Sequence, residues 1–132
     1  MEQALRAMFD ELADAFSALD LARFRALYAF PAQVITAEAV VALADASAFA
    51  RFFEPLAERL RAAGFARSVY SDFTCQALGP GLALAHMTWR RLGADARVIE
   101  ALGATYVLRQ SPDWRIVTLI GHAGGRGLPT QA

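Results

Sequence analysis

Lysine is missing from this 132-residue chain, and cysteine occurs once. All 13 basic residues are therefore arginines; they match 13 aspartates and glutamates, so the formal net charge is zero. Without a basic excess, the chain has no electrostatic footprint of a non-specific nucleic-acid binder. The lone thiol, Cys75, excludes an internal disulfide and a multi-cysteine zinc site. His86 and His122 lie on separate stretches with no clear third ligand, so neither a metal nor any other cofactor is expected. No apolar run is long enough to span a bilayer, and no membrane partner is expected. The opening MEQALRAMFDELADAF carries acids from its second residue and lacks the apolar core of a secretory leader, so a cytoplasmic location is expected. No glycine-rich phosphate loop precedes a helix. GHAGGRG follows a strand pattern and leads only into the terminal GGRGLPTQA, and residues 124–132 are expected to form a flexible tail.

What remains is an apolar chain of one-domain size. With 56% hydrophobic and 20% charged residues, residues 1–123 are expected to fold as a single domain around a substantial core. Leu5, Met8, Phe9, Leu12, Phe16 and Leu19 recur at helical spacing and predict an amphipathic first helix. Asp20 suits the N-cap of a shorter second helix bearing Phe24, Leu27 and Tyr28, stopped by Pro31. QVIT and AVVAL are short β-branched pieces, suited to a hairpin or paired edge segments. Asp45 or Ser47 can cap a third helix carrying Phe49, Phe52, Phe53, Leu56 and Leu60, ended by Gly64. Pro55 either kinks it or opens a separate helix.

Beyond Gly64 the period becomes alternating. Four runs, about Arg67–Leu78, Leu82–Leu92, Arg97–Arg109 and Trp114–His122, are separated by GPG, GADA and QSPD. Connections this short predict an antiparallel meander. Taking those turns at face value pairs Leu78 with Leu82, Leu92 with Arg97, and Arg109 with Trp114, and so divides the sheet into two faces. The more apolar face collects Val69, Ser71, Phe73, Cys75, Met87, Trp89, Glu100, Leu102, Ala104, Tyr106, Leu108, Val117 and Leu119, and it should receive the helices. The other collects Tyr70, Asp72, Thr74, His86, Thr88, Arg90, Thr105, Ile116, Thr118, Ile120 and His122. This outer face is poor in charge, and Asp72, Thr74, His86, Thr88, Thr118 and His122 are expected to lie in a symmetric homodimer interface.

The order helix, helix, hairpin, helix and long meander resembles the nuclear transport factor 2-like superfamily. So do the stretches DLARFRALYAFPAQVI, RAAGFARSVY, LALAHMTWRR and ATYVLRQSPDWRIVTLIGH. The last is similar to the closing hairpin of the SnoaL-like and ketosteroid-isomerase-like branches. The resemblance spans about Ala4 to His122 and implies an α+β cone, in which a curved antiparallel sheet wraps three helices and leaves an apolar cavity at its open end. It also implies dimerisation through the outer sheet face. The isomerase residues do not carry over. Ile35 and Thr36 stand where the carboxylate base would be, Leu12 where the oxyanion-donating tyrosine would be, and Ala104 where the second acid would be. Steroid-type isomerisation needs that base and those donors, so the activity is excluded. No set of acid–base groups matches the polyketide-cyclase members.

Tyr28, Ser71, Met87, Trp89, Glu100 and Tyr106 are the candidate ligand-binding residues. Indole and phenol tips in an apolar pocket would orient an apolar or amphipathic small molecule. Glu100, placed across from Trp89, is the one candidate catalytic group. In an apolar mouth its pKa would rise and it could act as acid or base, whereas at the rim it would pair with Arg91 or Arg97 in water. A small-molecule-binding cone is thus expected, with a SnoaL-like acid–base enzyme using Glu100, or an interaction module using the outer face, as alternatives. The outer Asp72–His86 diagonal has no nucleophile beside it and reads as interface hydrogen bonding.

Overall fold

The computed structural model describes residues 1–123; the tail expected at 124–132 lies outside them. Three helices, α1 (Glu2–Ser17), α2 (Leu21–Arg25) and α3 (Ala46–Ala62), pack on one face of a six-stranded sheet. The strands are β1 (Tyr28–Ile35), β2 (Val40–Leu43), β3 (Phe65–Ala77), β4 (Leu82–Gly93), β5 (Val98–Gln110) and β6 (Trp114–His122), in spatial order β2-β1-β6-β5-β4-β3. The meander from β3 to β6 is antiparallel as the short connections require. The sheet is nonetheless mixed, because β1 runs parallel to β6.

Local chemistry accounts for the helices. In α1, Leu5, Met8, Phe9, Leu12, Ala15 and Phe16 form the buried stripe. The helix stops at Ser17, and Leu19 enters the turn with a φ of 51° instead of continuing it. Asp20 caps α2 by accepting from the Arg23 amide at 3.2 Å, and Asp45 caps α3 by accepting from Ala48 at 2.9 Å. Pro55 does not divide α3, which runs unbroken through it. Tyr28 is not on a helix but opens β1, and Pro31 lies inside that strand. Pro31 is accommodated because pairing with β6 lapses between Tyr28 and Gln33, and pairing with β2 begins only at Ala32, so its missing amide proton costs no ladder bond.

Three register details decide what faces the helices. A bulge in β3 between Ser71 and Thr74, with Asp72 at φ 59°, shifts the pairing by one residue. On its far side Thr74 still faces His86, as expected. On the near side Tyr70 comes opposite Trp89, and Ser71, not Asp72, comes opposite Thr88. Tyr70 therefore turns inward while Ser71 and Val69 turn outward, the reverse of the arithmetic from turn length. The β4–β5 turn is one residue longer than GADA, so Leu92 pairs with Val98, and an irregularity between Arg91 and Leu92 adds a second step, so Trp89 pairs with Leu102 and Glu100 with Arg91. A slip of two preserves the faces. A second bulge in the β5–β6 pairing, between Val107 and Leu108, puts Ile116 in the core at 0% exposure, although the simple alternation places it outside.

Candidate functional site

The inner face of the sheet and the helices enclose a cavity of about 40 Å³, lined chiefly by Leu12, Phe16, Phe53, Trp89, Leu102 and Tyr106, with Ser68 and Arg91 as its polar members. A second opening of about 160 Å³ adjoins it, sharing Phe53, Arg91, Leu102 and Leu119 and reaching Thr36, Phe52 and Leu56. Of the positions that the resemblance assigns to isomerase chemistry, Leu12 and Ala104 line the inner chamber and Thr36 the mouth. The two chamber positions present only carbon.

Trp89 and Met87 are buried on the inner face, as alternation requires. The Trp89 indole donates from Nε1 to the Tyr106 hydroxyl at 2.9 Å, joining β4 to β5 through a buried polar contact. Burial drives the Tyr106 pKa upward against the opposing effect of that indole N–H. Tyr28 stacks edge-on against Phe49, with Phe24 and Phe53 close by. Its hydroxyl is buried and has no hydrogen-bond partner among the described residues. Burial, and then the neighbouring Tyr106, push its pKa well up, so it is a neutral phenol with a proton to give. Met87 is at 0% exposure and fills core; it does not line the chamber.

Two expected site residues need correction. Ser71 is on the outer face, where its hydroxyl accepts from Arg90 at 2.7 Å, because the β3 bulge turns it away from Trp89. Glu100 does face inward, but it lies beside Arg91 rather than Trp89. Arg91 Nη1 approaches it to 2.5 Å, and Arg59 Nη2 to 3.2 Å. Partial burial would raise its pKa, yet the hydrogen bonds and charges of these two arginines outweigh burial and lower it. A carboxylate held as an anion in this way is not the raised-pKa proton donor that an acid–base role requires.

Sequence reasoning named Arg91 only as a rim partner of Glu100, a pairing that the structure contains, and did not place it in the cavity wall; it put Tyr70 on the outer face and did not single out Ser68. Arg91 follows Trp89 by two residues and so shares its face, a signal that alternation contains. Its guanidinium lies 5.0 Å from the centre of the Phe16 ring, its side chain is only 15% exposed, and its Nε is buried without an acceptor among the described residues. Ser68 and Tyr70 could be placed only by knowing the bulge. Tyr70 packs 5.3 Å from Trp89 and donates to Asp10 of α1 at 2.6 Å, and burial together with that bond carries its pKa to about 12.

The outer-face residues gather separately. His86 Nδ1 lies 3.1 Å from Thr105 Oγ1, which lies 2.9 Å from His122 Nε2, and the two imidazoles stack with centres 5.3 Å apart. His86, Thr88 and Thr118 are buried, and Thr74 is exposed. Asp72 is exposed in the bulge, with Ser71 Oγ donating to it at 3.3 Å. Cys75 is half-buried, its thiol pKa raised by burial. Among the described residues no cluster of three or more metal-ligating side chains forms, and no helix is long and apolar enough to cross a membrane.

The fold is similar to those of several solved proteins. An NTF2-like protein with a cystatin-like fold from Novosphingobium aromaticivorans superposes with a TM-score of 0.75 at 14% identity, covering 96% of this chain and 83% of its own. A protein of unknown function with a cystatin-like fold from Nostoc punctiforme gives 0.75 at 11% identity, covering 97% and 93%. An NTF2-like protein of unknown function from Pseudomonas putida gives 0.73 at 20% identity, covering 98% and 96%. At such identities the likeness concerns the fold alone. No curated protein matches the chain. The family model described as NTF2-like protein (DUF6841) matches residues 2–124, nearly the whole chain, and with the helix-filled cone around Trp89 it establishes that the protein belongs to this NTF2-like family.

Proposed function

We propose that the protein binds a small, mainly apolar molecule in the cavity between α1, α3 and the sheet. The observation that carries this reading is Arg91, which lines both the chamber and its mouth and whose Nε is buried with no acceptor among the described residues; Tyr28, also without a partner, lies in the core beyond the lining. A buried polar group without a partner costs roughly 1–3 kcal/mol. A ligand supplying an acceptor would remove that cost. The Trp89–Tyr106 pair offers a second point of orientation beside apolar walls, the combination typical of small-molecule sites.

Native mass spectrometry with a library of small apolar molecules tests the proposal. Retained ligand is expected for the natural chain and is expected to disappear in Ala104→Leu, which fills the chamber from β5. Retention of nothing, or equal retention by Ala104→Leu, would refute it. We also propose that two copies pair through the outer sheet face. Thr74, Val107 and Ile120 remain partly or fully accessible there on a charge-poor surface, and light scattering at micromolar concentration should give twice the mass of one chain; a single-chain mass would refute the pairing.

A further inference from the structure

Two polar groups in the cavity wall, Tyr106 and Arg91, have a donor without an acceptor among the described residues. The Tyr106 oxygen is used in accepting from Trp89, which leaves its own proton to be given. Arg91 is held at Nη1 by Glu100, but its Nε–H is buried and finds no acceptor among the described residues. Charge points the same way. Arg59 and Arg91 share the single carboxylate of Glu100, two cations to one anion. Arg59 is 56% exposed and its charge is solvated, whereas Arg91 is 15% exposed and lines both the chamber and the mouth. The cluster as a whole thus carries one net positive charge at the edge of the cavity, with Arg91 as its member in the wall.

Resting on the proposal that the cavity is a ligand site, we infer that its ligand is a small monocarboxylic acid, whose carboxylate accepts from Arg91 Nε and whose apolar part lies against Trp89, Leu102 and Leu119. A carboxylate supplies acceptor capacity to several donors at once and cancels the surplus charge, and charge-assisted bonds are the stronger kind. Glu100 is a positioning residue: by occupying Nη1 it fixes the guanidinium plane. Size narrows the class. Spaces of about 40 and 160 Å³ fall below the roughly 300–1,000 Å³ of sites for drug-sized ligands, so a single ring or a short alkyl chain fits and a steroid-sized body does not.

The test compares phenylacetate, phenylacetamide and toluene on the full chain by NMR, following binding constants and the Arg91 Nε–H resonance. Phenylacetate is expected to bind about tenfold or more tightly than phenylacetamide, the scale of one charge-assisted hydrogen bond. It should shift the Arg91 Nε–H signal, and Arg91→Gln should abolish the preference while Arg91→Lys keeps part of it. The resonance experiment needs no variant and so holds if a substitution fails to fold. Equal or tighter binding of the amide or of toluene, or phenylacetate binding that leaves Arg91 Nε–H unmoved, would overturn the carboxylate inference and leave the cavity reading standing. Binding of none of the three would overturn both.

Discussion

Two tyrosines that face one interior should respond in opposite ways to loss of a hydroxyl. Tyr106→Phe strands the Trp89 indole N–H without its acceptor, and the unfolding free energy in urea should fall by about 1–3 kcal/mol. Tyr28→Phe removes a hydroxyl that has no partner among the described residues, and stability should be unchanged or rise by about 1 kcal/mol. A loss of stability on Tyr28→Phe would mean that the hydroxyl is already satisfied. Glu100 gives a pH-dependent counterpart. Its two arginines lower its pKa in the folded chain, so the stabilisation is complete above the unfolded value of about 4.3 and is lost as pH falls through the lower folded value. The stability difference between the natural chain and Glu100→Gln should accordingly shrink below about pH 4 and be constant around neutrality, as thermal melts across that range can show.

At the scale of the element, the β3 bulge governs which residues can join the site. Asp72 there adopts φ 59°, a conformation open to Asp and Gly but costly for a β-branched residue. Asp72→Gly should leave the melting temperature nearly unchanged, while Asp72→Val should lose about 1–2 kcal/mol. The same bulge separates what was legible in the sequence from what was not. Helical spacing located α1 and α3, and turn chemistry located all four long strands to within about two residues, because both are local signals. The facing of β4 and β5 also followed from alternation, which survived a register error of two. An extra residue inside β3 leaves no mark on alternation beyond a single phase change, so Ser71 and Tyr70 exchanged faces. The bulge at Val117 hid Ile116 in the same manner. Tyr28 read as helical because its spacing from Phe24 matches one helical turn, and only pairing with β6, more than 80 residues on, makes it a strand residue.

For the whole molecule, the wrapping of one sheet around three helices puts every phenol where ionisation is disfavoured. Tyr28 and Tyr106 are shifted upward chiefly by burial, and Tyr70 to about 12. The folded chain should therefore show little phenolate absorbance at pH 10, where a free tyrosine is about half ionised, and the signal should appear only as unfolding begins. Because the neutral phenols are favoured by the fold, their contribution is present below about pH 10 and is lost as pH rises through the folded values. The same architecture gives the molecule two separable surfaces, an interior with Trp89 and Arg91, and an outer face with His86, Thr105 and His122. Function assigned to one makes no demand on the other.

The central claim is that the inside of the cone is where a small molecule binds. The two tryptophans report on it directly, since Trp89 lines the chamber and Trp114 does not. The measurement is a two-dimensional proton–nitrogen NMR titration with phenylacetate, reading both indole N–H signals together with the amides of His86 and Thr88. A saturable shift of the Trp89 indole with Trp114, His86 and Thr88 unmoved is the predicted result; a response confined to the outer face, or none at all, would contradict the account.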